Sequence, residues 1–399
     1  MTHPAADTES IFALENQYSS GLYAKHCLAF VRGQGASLWD QDGDEYLDCA
    51  AGHGVANLGH AHPTVVQAIA AQASQLITLP ETFYNAPRAR LLQALVGLVP
   101  GMQRAFLCNS GTEAVEAALK FARLSTGRSQ FVVAMRGFHG RTFGALSATW
   151  NKQYRQPFEP LLPGFTHVPY NNLEALEQAV TGETAAVLLE AVQGEGGVYP
   201  ADPAYLQGAA QLCRQRGALL VIDEVQTGLG RTGRMFACQH YGVTPDLLCM
   251  AKSLAGGLPM GATLIGPAVQ NLAPGLHAST FGGNPLACAA SLATLQVLQD
   301  EGLAQQAAEK GAYLMQRLGE IQSPLVREVR GLGLMIGIEL KRKVAPYLAA
   351  LEARRILALP AGMTVMRLLP PLVITYAQID HLLEALAQVL APGQDATQD

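Results

Sequence analysis

Residues 219–226 read Leu-Leu-Val-Ile-Asp-Glu-Val-Gln, an apolar run that stops abruptly at an acid. A run so short and uniformly apolar has the pattern of a strand buried on both faces, as in a parallel sheet. Ligands of open α/β sheets gather at the carboxyl ends of strands, so a carboxylate at position 223 points into a cleft, partly desolvated, and needs a cationic partner. An acid that merely caps the following turn fits this segment, taken alone, equally well.

The same rhythm extends outward. Strands are expected at Arg104–Leu107, Gln130–Met135, Ala185–Leu189, Ala218–Ile222, Leu247–Met250 and Ala262–Ile265, with helices at Glu113–Leu124, Leu173–Ala179 and Pro203–Arg216. Alternating strand and helix define an α/β chain with a large, mainly parallel-sheet domain. After Asn284 the pattern changes to one long Ala/Leu-rich helix, a strand-like Val329–Leu340 and shorter elements ending in Ile379–Leu390, which read as a smaller α+β domain. Ser37–Asp48 reads as a hairpin around Asp42-Gly43, packing on the smaller domain or across a subunit boundary. The chain then divides into an N-terminal segment 1–59, a large domain 60–283 and a small domain 284–399, with a frayed polar tail from Pro392 to Asp399.

Composition narrows the classes. Of 399 residues 49% are hydrophobic and 15% charged, which excludes a disordered chain and suits two to three domains. The formal net charge of -5, with no Lys/Arg block, argues against nucleic-acid binding. The seven cysteines are odd in number, scattered and never spaced CxxC, so neither a disulfide framework nor a metal site is expected. The first 30 residues lack a basic start followed by an apolar core, and no uncharged apolar run reaches the roughly 18 residues of a membrane span. A cytoplasmic location with no membrane partner is expected.

Two further segments carry chemistry. Asn109-Ser110-Gly111-Thr112-Glu113 lies between an expected strand and helix, where backbone N–H groups, the helix dipole and the Ser and Thr hydroxyls converge as a phosphate cup. Met250-Ala251-Lys252-Ser253-Leu254-Ala255-Gly256-Gly257 places one of only seven lysines among apolar and small neighbours. Desolvation there lowers the amine's pKa and makes it nucleophilic, as a Schiff-base lysine requires. Each signal alone has an ordinary reading: an N-cap for the first, a solvated lysine for the second. Together with Asp223, 29 residues before Lys252, they match what pyridoxal 5′-phosphate (PLP) requires: a phosphate anchor, a partner for the pyridine nitrogen and an amine for the aldehyde.

The words around these residues resemble the class III, ornithine-type aminotransferases of fold type I over nearly the whole chain. SGTEAVEAALKFAR, FHGRTFGALSAT, QGEGGVYP, IDEVQTGLGRTG, AKSLAGGLPMGA, STFGGNPLACAA and RGLGLMIGIEL all look like that family's blocks, in order. The resemblance implies a fold type I PLP-dependent transferase. Lys252 would bond the cofactor's aldehyde and shuttle the proton, and Asp223 would keep the pyridine nitrogen protonated. Gln226 would meet the ring hydroxyl, with Phe138 on one ring face and Val225 on the other. Ser110, Gly111 and Thr112 would grip the phosphate, and Thr280 would reach the phosphate of a neighbouring subunit, so the resemblance implies a homodimer with shared sites. Arg141 and Arg367 resemble the family's two carboxylate clamps, Glu195 the gate of the second, and Ser279 a further substrate-site residue. One departure is Glu190-Ala191, where many relatives carry proline after the acid, which bears on loop stiffness more than on chemistry.

Within the family, VRGQGASLWD with GVANLGH, MRGFHGRT with SATWNKQY, and RRILALPAGMTVMRLLPPLVI lean towards members that transaminate lysine held on a small acidic amino-group carrier protein. The implied exchange runs between glutamate/2-oxoglutarate and carrier-bound aminoadipate semialdehyde/lysine. Members acting on acetylornithine are the alternative, and some relatives serve both routes. Two other classes stay open: a catalytically inactive binding protein, disfavoured by the joint presence of Lys252, Asp223, Arg141 and Arg367, and a nicotinamide oxidoreductase, disfavoured by the lack of a GxGxxG turn after an early strand.

Overall fold

The computed structural model describes residues 7–391, so the tail expected to fray lies outside the described residues. Its centre is a seven-stranded sheet ordered Arg104–Cys108, Gly261–Ile265, Leu247–Met250, Leu219–Asp223, Thr184–Glu190, Gln130–Ala134, Phe165–Val168. Leu219–Asp223 is the middle strand and is buried throughout. It runs parallel to both neighbours, in a register that sets Asp223 beside Cys249 on one side and Glu190 on the other. Gly261–Ile265 is antiparallel to both of its neighbours. Only residues 251–260 separate it from the preceding strand, too few for the crossover helix that a parallel return needs.

Gly111–Thr126 begins at Ser110, whose hydroxyl accepts from Glu113 N at 3.3 Å, and ends at Gly127 in the left-handed region. Its buried residues combine the small Ala114, Ala117, Ala118 and Ala122 with Val115, Leu119 and Phe121, which pack on the sheet. The helix therefore points its N-terminus at the carboxyl edge where Asp223 ends.

Two expectations are corrected. The long Ala/Leu-rich helix is two helices, Pro285–Asp300 and Leu303–Glu320, because Gly302 turns the chain with φ 60°. The strand-like Val329–Leu340 is a hairpin of Val326–Leu332 and Met335–Leu340, joined through Gly333 and Leu334. An unbroken apolar pattern hid that turn. Gly333 has φ 55°, and a Cβ there would lie 2.4 Å from the carbonyl carbon of Thr232. The hairpin forms a four-stranded antiparallel sheet with Val365–Leu368 and Leu359–Ala361. The expected hairpin at 37–48 is present as Ser37–Asp40 and Glu45–Asp48, preceded by the unforeseen strand Phe30–Gln34, and Ile356–Leu357 adds to it in parallel.

Arg231 joins the seven-stranded sheet to the antiparallel four-stranded sheet that contains the Gly333 hairpin. Fully buried in the loop after Asp223, it donates from Nη1 to the carbonyls of Leu334 and Pro370 and from Nη2 to Asn57 Oδ1. Burial pushes its guanidinium down to about 9. The Gly333 turn lies directly on this loop. Gly333→Ala is therefore expected to cost at least about 1–3 kcal/mol from the left-handed backbone and the overlap with Thr232. Chemical denaturation monitored by tryptophan fluorescence checks this, and an unchanged midpoint would show that the turn tolerates a Cβ.

Candidate active site

A cavity of about 410 Å³ opens at the carboxyl edge of the central sheet. Ten of the thirteen expected site residues line it: Ser110, Gly111 and Thr112 at one end, Phe138, Arg141, Glu195, Val225 and Gln226 around the walls, and Asp223 with Lys252. Ser279, Thr280 and Arg367 do not. Ser279 Oγ instead accepts from Asn109 Nδ2 at 3.1 Å and from Gly282 N at 3.0 Å, Thr280 is exposed, and Arg367 is fully buried behind the wall.

The anion end is built by close approach. The first N–H groups of a helix have no acceptor within it, and this 16-residue helix presents them beside the Ser110 and Thr112 side chains. A Cβ on Gly111 would sit 2.8 Å from Val225 Cγ1, so only glycine lets the Val225 side chain close over this turn. Thr112 Oγ1 lies 2.7 Å from Thr142 Oγ1, which donates to Glu116 Oε1 at 2.6 Å. Glu116 also accepts from Gly144 N at 2.9 Å, pinning the 140–145 loop to the helix.

Asp223 is not held by a lysine or arginine. Its Oδ2 lies 2.8 Å from His139 Nδ1, both side chains nearly inaccessible to solvent, and its Oδ1 accepts from Val225 N at 3.0 Å. Burial pushes the imidazole pKa down, yet the hydrogen bond and charge of Asp223 push it up further, so the net shift is upward. Beside this pair, Glu190 accepts from Phe138 N at 3.1 Å and Gly194 N at 3.3 Å. Burial, opposed in part by His139 and reinforced by Asp223, lifts its carboxyl to about 7. Neither His139 nor Glu190 was singled out from sequence. Glu190 ends Ala-Ala-Val-Leu-Leu-Glu, the same apolar-run-then-acid signal that picked out Asp223. His139 had no signal beyond its place in the Phe-His-Gly-Arg-Thr block.

Lys252 has φ 44°, a left-handed conformation that costs a non-glycine residue energy and that recurs at functional sites. Burial first and the Arg367 cation second lower its ammonium to about 8, against the raising influence of Glu195, Asp223 and Glu190. A sizeable neutral fraction at physiological pH makes the amine a nucleophile and a proton carrier.

The two arginines differ in kind. Arg367 Nη1 is 2.8 Å from Glu195 Oε1 and donates to Gln226 Oε1 at 3.1 Å, while its Nε finds no partner among the described residues. Burial alone would raise the Glu195 carboxyl, but Arg367 outweighs it and holds it below the usual range. Arg141 is exposed at the rim, its guanidinium 3.7 Å from the Tyr154 ring centre. One guanidinium is thus buried and paired with a carboxylate, and the other is exposed.

This donor set fits PLP. The glycine-lined helix N-terminus suits a phosphate, the Asp223 carboxylate suits a protonated ring nitrogen, and the Lys252 amine suits an aldehyde. Among the described residues no group of three or more His, Cys, Asp or Glu could hold a metal ion.

The profile described as Aminotransferase class-III matches residues 19–390, and the chain belongs to that family. It is a PLP-dependent aminotransferase with the fold type I architecture. The [LysW]-aminoadipate semialdehyde transaminase of Deinococcus radiodurans is 52% identical over 395 residues, covering 98% of this chain and 92% of that one. The acetylornithine aminotransferase of Methanosarcina acetivorans is 46% identical over 386 residues, covering 96% of this chain and 97% of its own. A solved structure of the Toxoplasma gondii ornithine aminotransferase, reported with PLP at partial occupancy in its active site, superposes with a TM-score of 0.93 at 36% identity, covering 96% of this chain and 94% of that one.

The cofactor-free enzyme is expected to show a Lys252 amine titrating near 8. Arg367→Ala removes a cation and should raise that value, whereas Glu195→Gln removes a carboxylate and should lower it. The pH dependence of reductive methylation, read by NMR of the labelled lysine, checks the order, and identical titrations in all three proteins would show that neither charge acts on the amine.

Proposed function

We propose that this enzyme moves an amino group from glutamate to the terminal aldehyde of aminoadipate semialdehyde held on a small acidic amino-group carrier protein, giving carrier-bound lysine and 2-oxoglutarate. The observation that carries this reading is the contrast between Arg367, paired with Glu195, and Arg141, exposed at the cavity mouth without an ion pair among the described residues. A lysine-type substrate reacts at its terminal amine and keeps its carboxylate at the mouth, where Arg141 receives it. A second cation beside the reacting carbon is then unwanted, and Glu195 cancels it. Glutamate reverses the demand: its α-carboxylate needs Arg367, so Glu195 must release it, and its side-chain carboxylate takes Arg141.

PLP, when bound, supplies an aldehyde to carry the amino group and a ring that accepts the electron pair left when the carbon–hydrogen bond breaks. The chain supplies the rest. Lys252 Nζ would take the proton from the amino-bearing carbon of the donor and deliver it to the aldehyde-derived carbon of the cofactor, and would carry a proton the opposite way in the second half-reaction. Asp223, steadied by His139, would keep a proton on the ring nitrogen, and Gln226 would meet the ring hydroxyl. Phe138 and Val225 would confine the ring, and Ser110, Gly111 and Thr112 would hold the phosphate.

The organisation proposed with this chemistry is an N-terminal segment 1–59, a large domain 60–283 and a small domain 284–399, in a cytoplasmic homodimer. Thr280 lies exposed outside the cavity, as suits a residue that completes the partner's phosphate site, and Ser279 beside it is proposed to contribute to the substrate site. The identity to the Deinococcus transaminase supports the carrier-bound substrate, while the 46% identity to an acetylornithine enzyme keeps that substrate as the second reading. Rates measured side by side on carrier-bound lysine, acetylornithine and ornithine decide between them, with carrier-bound lysine expected to be fastest.

The gate is tested by running the two half-reactions separately in single turnover. Glu195→Gln should slow the terminal-amine half more than the glutamate half, because Arg367 is left uncancelled. Arg367→Ala should do the reverse, removing a charge-assisted contact to glutamate worth about 1.5–3 kcal/mol. Equal losses in both halves for each variant would mean that the pair is no substrate switch.

A further inference from the structure

The turn that carries Glu195 is held from two sheets. Residues 194–198 close a short hairpin formed by Val192–Gln193 and Tyr199–Pro200. On the side of the seven-stranded sheet, Gln193 Nε2 donates to Met135 O at 2.8 Å and Gly194 N to Glu190 Oε1 at 3.3 Å. On the other side lies the antiparallel sheet of the Gly333 hairpin. From it Arg330, 7% exposed, donates through Nε and Nη2 to Gly197 O at 3.0 and 2.7 Å. Its Nη1 bonds Glu328 and Glu339, each at 2.7 Å, and its guanidinium lies 3.7 Å from the ring centre of Tyr199, whose hydroxyl donates to Glu339 at 3.2 Å.

The register of that sheet connects this grip to the second carboxylate clamp. Arg330 stands opposite Gly337, and Gly337 opposite Arg367, so the three form one row across the sheet and share a face. A Cβ on Gly337 would lie 3.0 Å from Val198 Cβ and 3.2 Å from Gly197 O, so the bare middle of the row seats the turn. At one end of the row Arg330 holds Gly197, and at the other Arg367 meets Glu195. The turn does not take this shape unaided. Three of its five residues are glycines, which leave the backbone many alternatives, and the buried Val198 sits at φ 56°, a left-handed conformation unfavourable for a β-branched side chain. Outside contacts must select and maintain it.

We propose that Arg330 is the positioning residue of the gate: by holding the Gly197 carbonyl it fixes Glu195 in register with Arg367, so that this clamp stays closed until an α-carboxylate competes for it. The inference rests on the reading of Glu195 and Arg367 as a substrate switch and adds what aims the switch. Arg330 acts through the backbone and not through its charge, because Glu328 and Glu339 neutralise it. The charges that chiefly act on Lys252 are those of Arg367, Glu195, Asp223 and Glu190.

The test sets Arg330→Met and the milder Arg330→Lys beside Glu195→Gln and the combined Arg330→Met/Glu195→Gln. In the holoenzyme, single-turnover rates of Arg330→Met are expected to fall about tenfold on the terminal amines of carrier-bound lysine and acetylornithine and less than about threefold on glutamate. Arg330→Lys should show the same preference more weakly, because an ammonium keeps the pairing with Glu339 but cannot place two parallel donors on one carbonyl. The combined variant should match Glu195→Gln, since a residue acting through Glu195 then has nothing left to position. A second readout is the titration of the Lys252 amine in the cofactor-free full chain. Loss of a cation acting directly would raise it, whereas displacement of Glu195 lowers it, so both Arg330 variants should shift it downward, as Glu195→Gln does. Equal losses on all substrates, additive losses in the combined variant, or a Lys252 titration that stays or rises would overturn the positioning role. Should Arg330→Met fail to fold, Arg330→Lys, alone and combined with Glu195→Gln, decides by the same comparisons. If Glu195→Gln itself slows both halves equally, the switch reading falls and the positioning role with it.

Discussion

Asp223 is 4% exposed at the end of a strand that is buried throughout, and the His139 imidazole 2.8 Å away makes that position tenable. An unpaired carboxylate there would forfeit several kcal/mol of hydration. The imidazole offsets that cost through its hydrogen bond to the carboxylate, which in turn raises the imidazole's own pKa against the effect of burial. Glu190, one strand over and in register with Asp223, is lifted towards neutrality by burial, so two adjacent acids do not both press full charge on the same space. Its oxygens hold Phe138 N and Gly194 N, so the acid that relieves the electrostatics also fixes the loop bearing the aromatic wall.

The cation side is balanced in the same way. Arg367 has no exposed surface, and Glu195 and Gln226 supply its polar contacts. Gly194 makes the arrangement possible, since a Cβ there would fall 1.9 Å from the Gln226 oxygen that Arg367 bonds. Lys252 feels the balance directly, because its amine is pushed down by Arg367 and up by Glu195.

Much of this was legible in the sequence because buried strands leave no choice of side chain. The six expected core strands are all present, most of them within a residue of their observed ends, and the acid, the lysine and the phosphate turn fall where the strands stop. What escaped did so for physical reasons. The turn at Gly333 lies in Gly-Leu-Gly-Leu, which holds none of the Asn, Asp, Ser or Pro residues that mark most hairpin turns. The break at Gly302 follows a helix whose apolar pattern resumes at once. His139 is defined by the acid it meets 84 residues away, which no local pattern contains. The burial of Arg367 is likewise tertiary: nothing in Val-Met-Arg-Leu distinguishes an inward from an outward arginine except the register with Gly337 and Leu359 across the small sheet.

Arg141 follows a strand of the seven-stranded sheet and Arg367 lies on the antiparallel four-stranded sheet of the Gly333 hairpin, so the separation of the two guanidinium groups belongs to neither sheet. It is fixed where the sheets meet, at the guanidinium of Arg231 and the carbonyls of Leu334 and Pro370. If Arg141 and Arg367 hold the two ends of the substrate as proposed, that junction would act as a ruler for substrate length, with pocket residues choosing the chemistry of each end and the buried arginine setting how far apart the ends must be. A variant enzyme remade for a longer or shorter amino acid would therefore need changes at this contact, well away from the cofactor, before changes in the cavity itself could take full effect.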